Sequence, residues 1–352
     1  MSLFKIGPDS SGKEIQDYLH GTGWLPGEQV MALSKAGEGN MNVILRVSLL
    51  SGKSLILKQS RPYVNKFPSI PAPPERIETE YAFYQAVRKY PELSAFMPRV
   101  IGFDRHHRIL ALEDLGEGSD YTCLYKNDSS WPEDLNRDAL RFLSILHHLP
   151  VPEGYPSNLA LRQLNAEHLY DFPYRTDHGF DLDKVQIGLE DLARPYREDG
   201  FLRESIQELK RIYLGKGGRQ LLHGDYFPGG WLQSGQGFKV IDPEFSFIGP
   251  AEYDLGVMMA HLYMARKTRD EVEDLLILYR PPAGFLISLC RQFCGMEIFR
   301  RLIGLAQLPL DLSLDEKSIL LKMAYELTTD PRPSLWYSGQ ERNVAIPVSL
   351  QK

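Results

Sequence analysis

Short apolar runs punctuated by glycine, serine and acidic residues dominate the first third of the chain. Val30-Met31-Ala32-Leu33, Val43-Ile44-Leu45-Arg46-Val47, Ser54-Leu55-Ile56-Leu57-Lys58-Gln59, Pro98 to Phe103 and Ile109-Leu110-Ala111-Leu112 each have strand length. Between the third and fourth runs the period changes. Arg76 to Val87 has helical spacing, with Ile77, Tyr81 and Tyr84 on one face and acids near its start. The proline-rich stretch Phe67 to Pro74 predicts a stiff loop before that helix. Helical patterns prevail beyond Gly116, at Asp138 to His147, around Arg269 to Asp274 and at Ile298 to Ala306. Two short apolar runs interrupt them, Leu221-Leu222 and Phe238-Lys239-Val240-Ile241, and both read as buried strands.

Each of these two runs ends at an acid, in Leu222-His223-Gly224-Asp225 and in Val240-Ile241-Asp242-Pro243-Glu244-Phe245. Two separated carboxylates on rigid supports suit phosphoryl transfer. One faces the attacking hydroxyl, and the other holds the metal that neutralises the phosphates. Asp225 and Asp242 are the candidates for base and metal ligand. Residues two apart on an extended segment point the same way, so Asp242 and Glu244 are expected to face one Mg2+ together. His223 is assigned to orienting the loop. Either motif alone is also compatible with a simple turn capped by an acid.

Together and in this order, the two motifs resemble the His-Arg-Asp and Asp-Phe-Gly pair of protein kinases. They take the His-Gly-Asp form found in aminoglycoside phosphotransferases and choline-kinase-like enzymes. The run Ile241 to Pro250 followed by Tyr253-Asp254-Leu255-Gly256 is most similar to methylthioribose kinases, in which Asp-Pro-Glu replaces Asp-Phe-Gly. The resemblance implies an α+β, bilobal protein-kinase-like fold. A small antiparallel-sheet lobe with one main helix would span residues 1–116, and a larger, mainly helical lobe residues 117–352. It also implies ATP and Mg2+ as cofactors and a small-molecule hydroxyl acceptor.

The same resemblance orders the first lobe. Ala36-Gly37-Glu38-Gly39-Asn40-Met41-Asn42 is compatible with a plain hairpin turn, but its Gly39-Asn40-Met41-Asn42 is similar to the phosphate loop of methylthioribose kinases. Gly37, Gly39, Asn40 and Asn42 are thereby expected at the nucleotide. Lys58, at the end of its strand, is either a surface lysine or the group that grips the α- and β-phosphates. The resemblance favours the second, with Glu80 as its partner and Glu78 as the alternative. Ile109 to Gly116 resembles the hinge, where the backbone of Glu113 and Leu115 would meet adenine and Leu112 would line the pocket behind it. A core strand ending in an acidic turn has the same local pattern.

For the acceptor, Ile298-Phe299-Arg300-Arg301-Leu302 resembles the paired-arginine helix that borders the substrate in methylthioribose kinases. Guanidinium groups suit sugar hydroxyls and transferring phosphate. Neighbours on a helix point about 100° apart, so Arg300 and Arg301 can face one site only at a helix end or cleft edge. The catalytic loop departs from the pattern. Gly230 stands where kinases carry a metal-binding asparagine, and Tyr226 and Trp231 make the loop bulkier, which marks both as candidate acceptor contacts. Three readings therefore stand: a methylthioribose-type sugar kinase, a kinase for another acceptor such as an aminoglycoside or amino alcohol, and a non-catalytic nucleotide-binding relative.

Composition fits these readings. The chain has 352 residues, 43% of them hydrophobic, and a formal net charge of -6, with no basic run to mark a nucleic-acid partner. No apolar stretch reaches spanning length and no charged-then-apolar segment opens the chain, so a cytoplasmic enzyme is expected, without a membrane partner. A homodimer is a possible state that the sequence leaves open. Cys123, Cys290 and Cys294 lack further ligands for zinc and read as reduced packing residues. His147 and His148 show no carboxylate partner at helical spacing and read as structural.

Overall fold

The computed structural model describes residues 3–330 apart from 38–39, 128, 130–131 and 178. Helix α1 (Gly12–Thr22) begins at a capping box, in which the Ser11 side chain and Glu14 satisfy each other's backbone N–H groups. Strands β1 (Val30–Lys35), β2 (Val43–Leu49) and β3 (Ser54–Gln59) follow, then the short pair β4 (Tyr63–Val64) and β5 (Phe67–Pro71). The proline-rich segment is therefore partly a strand, with Tyr63 paired to Pro71. Proline is tolerated there because a two-stranded edge leaves its missing N–H outside any ladder.

Helix α2 (Arg76–Val87) and the single turn α3 (Pro91–Ser94) precede β6 (Val100–Asp104) and β7 (Ile109–Glu113). The main sheet is antiparallel in the order β1-β2-β3-β7-β6. Alternation along β2 and β3 sends Leu45, Val47, Leu55 and Leu57 into a core with Ile15 and Leu19 of α1. Helix α2 is buried on most of its circumference, including the charged Arg76 and Glu80, which sequence periodicity alone does not predict.

Beyond β7, β8 (Ser119–Asp120) leads into helices α4 (Glu133–Leu146), α5 (Leu159–Ala166), α6 (Leu189–Glu198) and α7 (Gly200–Leu214). Then come β9 (Gln220–Leu222), the hairpin β10 (Trp231–Ser234) and β11 (Gly237–Val240), and β12 (Phe247–Gly249). Strand β12 pairs antiparallel with β9, and β10 lies between β11 and β8. Helices α8 (Ala251–Met264), α9 (Arg269–Leu276), α10 (Ile287–Ile303) and α11 (Leu314–Thr329) complete the described chain. Among the described residues no helix is long and apolar enough to cross a membrane. The acids of Arg269 to Asp274 lie on the first turns of α9, of which only Val272 is buried.

Helix α8 is buried along its whole length, and α10 almost so. Gly256 allows this close approach, since a Cβ there would stand 2.6 Å from the Cys290 carbonyl oxygen and 2.8 Å from Phe293 Cβ. Cys290 and Cys294 are free and buried at that contact, and burial raises both thiols above their ordinary pKa. Because the blocking atoms are backbone or Cβ, Gly256→Ala must push the helices apart. It should cost about 1–3 kcal/mol, measured as a lower urea midpoint at unchanged m.

Candidate active site

The two acidic turns meet each other. Gly224 has φ +84°, and a Cβ there would stand 2.1 Å from the Phe245 carbonyl oxygen, so only glycine lets the His-Gly-Asp turn lie against the Asp-Pro-Glu turn. Asp254, at the start of α8, holds the first turn. Its carboxylate accepts the N–H groups of His223 at 2.7 Å and Gly224 at 2.9 Å, and His147 lies 3.3 Å away. His147 therefore does have a carboxylate partner, 107 residues distant, beyond the reach of helical spacing. The His223 ring donates through Nε2 to the Ile241 carbonyl at 3.0 Å. Burial lowers its pKa, outweighing Asp254, so the ring stays neutral and ties one turn to the other.

On the nucleotide side the fold gathers Lys58, Glu80 and Asp242. Lys58 Nζ is 2.8 Å from Glu80 and 2.5 Å from Asp242. Burial alone would push this ammonium down, but Asp242, Glu80 and Glu244 hold it above its ordinary value. Three carboxylates thus surround the charges of Lys58 and Arg76. The most buried one, Glu80, takes the burden, with burial raising it to about 8 against the pull of Lys58. Asp242 is the accessible member, its side chain 43% exposed.

Asp242 adopts a left-handed conformation at φ +61°, and Pro243 to Phe245 form a helical turn. The segment is not extended, so the expected shared face of Asp242 and Glu244 does not exist. Glu244 is buried instead, accepting from Asn42 Nδ2 at 2.9 Å with Arg76 Nε 3.3 Å away. The Asn42 side chain is likewise turned inward, accepting from Arg76 at 2.9 Å, so it does not face the cavity described next. Asn40 is exposed on the loop, Gly37 borders the cavity described next, and Gly39 lies outside the described residues.

A cavity of about 180 Å3 opens between the main sheet and the β10–β11 hairpin, reaching Lys58 and Asp242. Ile44 and Ile56 line its sheet side and Leu232 and Ile241 the opposite side, while Leu112, Glu113 and Leu115 form its back. The Glu113 N–H donates to the Arg99 carbonyl at 2.8 Å, which removes it as a donor to adenine. Arg46, absent from the sequence-based candidates, also borders this cavity and pairs with Asp114 at 2.7 Å.

Asp225 faces the end of α10. Arg300 and Arg301 both approach its Oδ1 at 3.5 Å, so adjacent helical residues converge on one carboxylate because the helix ends there. Tyr226 and Trp231, expected at the acceptor, are fully buried. The Tyr226 hydroxyl donates to the Ala139 carbonyl, its ring stacks on Phe142, and Trp231 packs against Phe238. Gly230 has room for a side chain, with the nearest atom 3.5 Å from an added Cβ, so packing does not impose glycine.

The model of the phosphotransferase enzyme family matches residues 51–286. The chain belongs to that family. It is therefore a phosphotransferase, a kinase, with a protein-kinase-like bilobal fold. It is 26% identical over 330 residues to the methylthioribose kinase of Exiguobacterium sibiricum, covering 80% of this chain and 82% of the relative. It is 24% identical over 380 residues to that of Bacillus velezensis, covering 91% of each. The solved choline kinase of Cryptosporidium parvum shares the fold at a TM-score of 0.52 and 13% identity, over 90% of this chain and 96% of that one.

Among the described residues no three His, Cys, Asp or Glu side chains form a ready-made metal cage. The donor set instead fits Mg2+, which takes one or two carboxylates and completes its shell with phosphate oxygens and water. The charge arrangement also makes stability depend on pH. Folded Glu80 keeps its proton to about 8, whereas an unfolded glutamate loses it near 4.5, so at this residue the folded state binds more protons across that window. The stability that Glu80 contributes should fade as pH rises from about 4.5 to about 8, so across that range the wild type should lose stability relative to Glu80→Gln; urea titrations of the two proteins measure it.

Proposed function

We propose that this phosphotransferase moves the γ-phosphate of ATP to a hydroxyl of a small sugar, with methylthioribose as the leading acceptor. The lobes would divide near residue 116, the first gripping ATP and the second carrying the acceptor. The observation that carries the acceptor assignment is the convergence of Arg300 and Arg301 on Asp225, which suits a polyhydroxylated substrate and a developing phosphoryl charge. The names of the relatives point to the same acceptor.

In this reading Asp225 accepts the proton of the attacking hydroxyl, and the neutral His223 keeps its loop against the second turn. Lys58, fixed by Glu80, holds the phosphates of ATP, whose base occupies the cavity between Ile44 and Ile241. Asp242 would hold Mg2+, which when bound supplies the positive charge that this group of carboxylates lacks. Glu244 can join it only by leaving Asn42 and Arg76. The burial of Tyr226 and Trp231 removes the ground on which they would have reshaped the acceptor site.

Release of ADP from Mg-ATP with methylthioribose, beside ribose, choline and an aminoglycoside, tests the acceptor. Selective turnover of methylthioribose is the expected result, and equal or faster turnover of choline or the aminoglycoside contradicts it. Asp225→Ala should lower kcat roughly 10^2- to 10^4-fold with nucleotide affinity retained; undiminished turnover would remove Asp225 from its role as base.

A further inference from the structure

Two arginines in succession on a largely buried helix end need a counter-charge, and the fold supplies one. Glu297 is fully buried one turn before them on α10. Its carboxylate lies 2.6 Å from Arg301 Nε and 3.1 Å from Arg300 NH1. It also accepts from His261 Nε2 at 3.2 Å, and His261 in turn has the Tyr125 hydroxyl 2.6 Å from its Nδ1. The proton assignment follows from the partners: Nε2 carries the proton given to Glu297, so Nδ1 is the acceptor for Tyr125.

We propose that Glu297 is the positioning residue for the acceptor end of the site. It aims both guanidinium groups at Asp225, with His261 and Tyr125 fixing the orientation of its carboxylate. The geometry excludes a simpler role as one half of a surface ion pair. Glu297 has no exposure to water, and it binds the two arginines through different nitrogens, one at i+3 and one at i+4. Without it, two buried cations would repel each other beside Asp225. They would be free to collapse onto that carboxylate, the group that must stay open to a hydroxyl. Burial alone would raise the Glu297 carboxyl, but Arg300 and Arg301 hold it well below the usual range, so it remains an anion. Burial holds His261 neutral, with a pKa of about 4. The node is thus two cations facing two anions, Glu297 behind and Asp225 in front.

This inference rests on the reading that the acceptor binds beside Arg300 and Arg301, and the experiment separates the two. Steady-state kinetics are measured for wild type, Glu297→Gln, Glu297→Asp and Arg300→Met, varying ATP and methylthioribose independently. Glu297→Gln should lower kcat/KM for the acceptor roughly 10- to 100-fold, the effect expected of misplacing a positioned group by about 1 Å, while KM for ATP changes by less than about twofold. Should Glu297→Gln fail to fold, Glu297→Asp keeps the charge but withdraws the carboxylate, and it should show the same selective loss. A merely structural glutamate would lower thermal stability while leaving acceptor kinetics unchanged, or would affect both substrates alike, and either result in the folded variants overturns the proposal. Loss of acceptor use in Arg300→Met with both Glu297 variants unaffected overturns the role of Glu297 and leaves the acceptor reading standing. Unchanged acceptor kinetics in Arg300→Met overturns both.

Discussion

The site is organised around a charge imbalance. Lys58 brings one buried ammonium to a point where the sheet, α2 and the Asp-Pro-Glu turn meet, and three carboxylates converge on it and Arg76. A buried group of this kind is stable only while its members hold one another. Glu80 answers by favouring its protonated form, and Asp242 by remaining partly in water. In the proposed reading the same imbalance gives the site its chemistry, because the divalent cation that accompanies the phosphates places positive charge beside Asp242, where the protein has too little.

The other acidic centre is balanced. Asp225 faces Arg300 and Arg301, which Glu297 supports from behind, so this end of the cleft is complete before any substrate arrives. The contact of Gly224 with Phe245 and the bond from His223 to Ile241 join the two centres rigidly. In the proposed reading, a cation-seeking station at Asp242 and an acceptor station at Asp225, linked through touching turns, form a frame for moving a phosphoryl group between two small molecules.

Much of the fold was legible in the sequence because strand runs such as Ser54 to Gln59 and the helix Arg76 to Val87 are strongly patterned and keep their boundaries in the structure. Asp225 and Asp242 stood out because each follows a short apolar run, whereas Lys58 and Glu80 were singled out by the resemblance to methylthioribose kinases, and the structure brings Lys58, Glu80 and Asp242 together. The remainder escaped for a physical reason. Periodicity reports where apolar residues go, and it reads charged residues as solvated, yet Arg76, Asp254 and Glu297 are buried, and Arg76 and Asp254 find partners far away in sequence. The alternation argument for Asp242 and Glu244 failed at one backbone angle, since a left-handed Asp242 ends the extended segment. Tyr226 and Trp231 misled because aromatic residues beside a catalytic loop can equally be the core beneath it.

Calorimetric titration of ADP, with and without Mg2+, into the wild-type protein and Asp242→Asn tests the charge imbalance most directly. The account predicts that Mg2+ tightens ADP binding to the wild type by about tenfold or more, equivalent to about 1.4 kcal/mol, and that most of this gain disappears in Asp242→Asn. Equal affinity with and without the metal, or an undiminished gain in the variant, would contradict it.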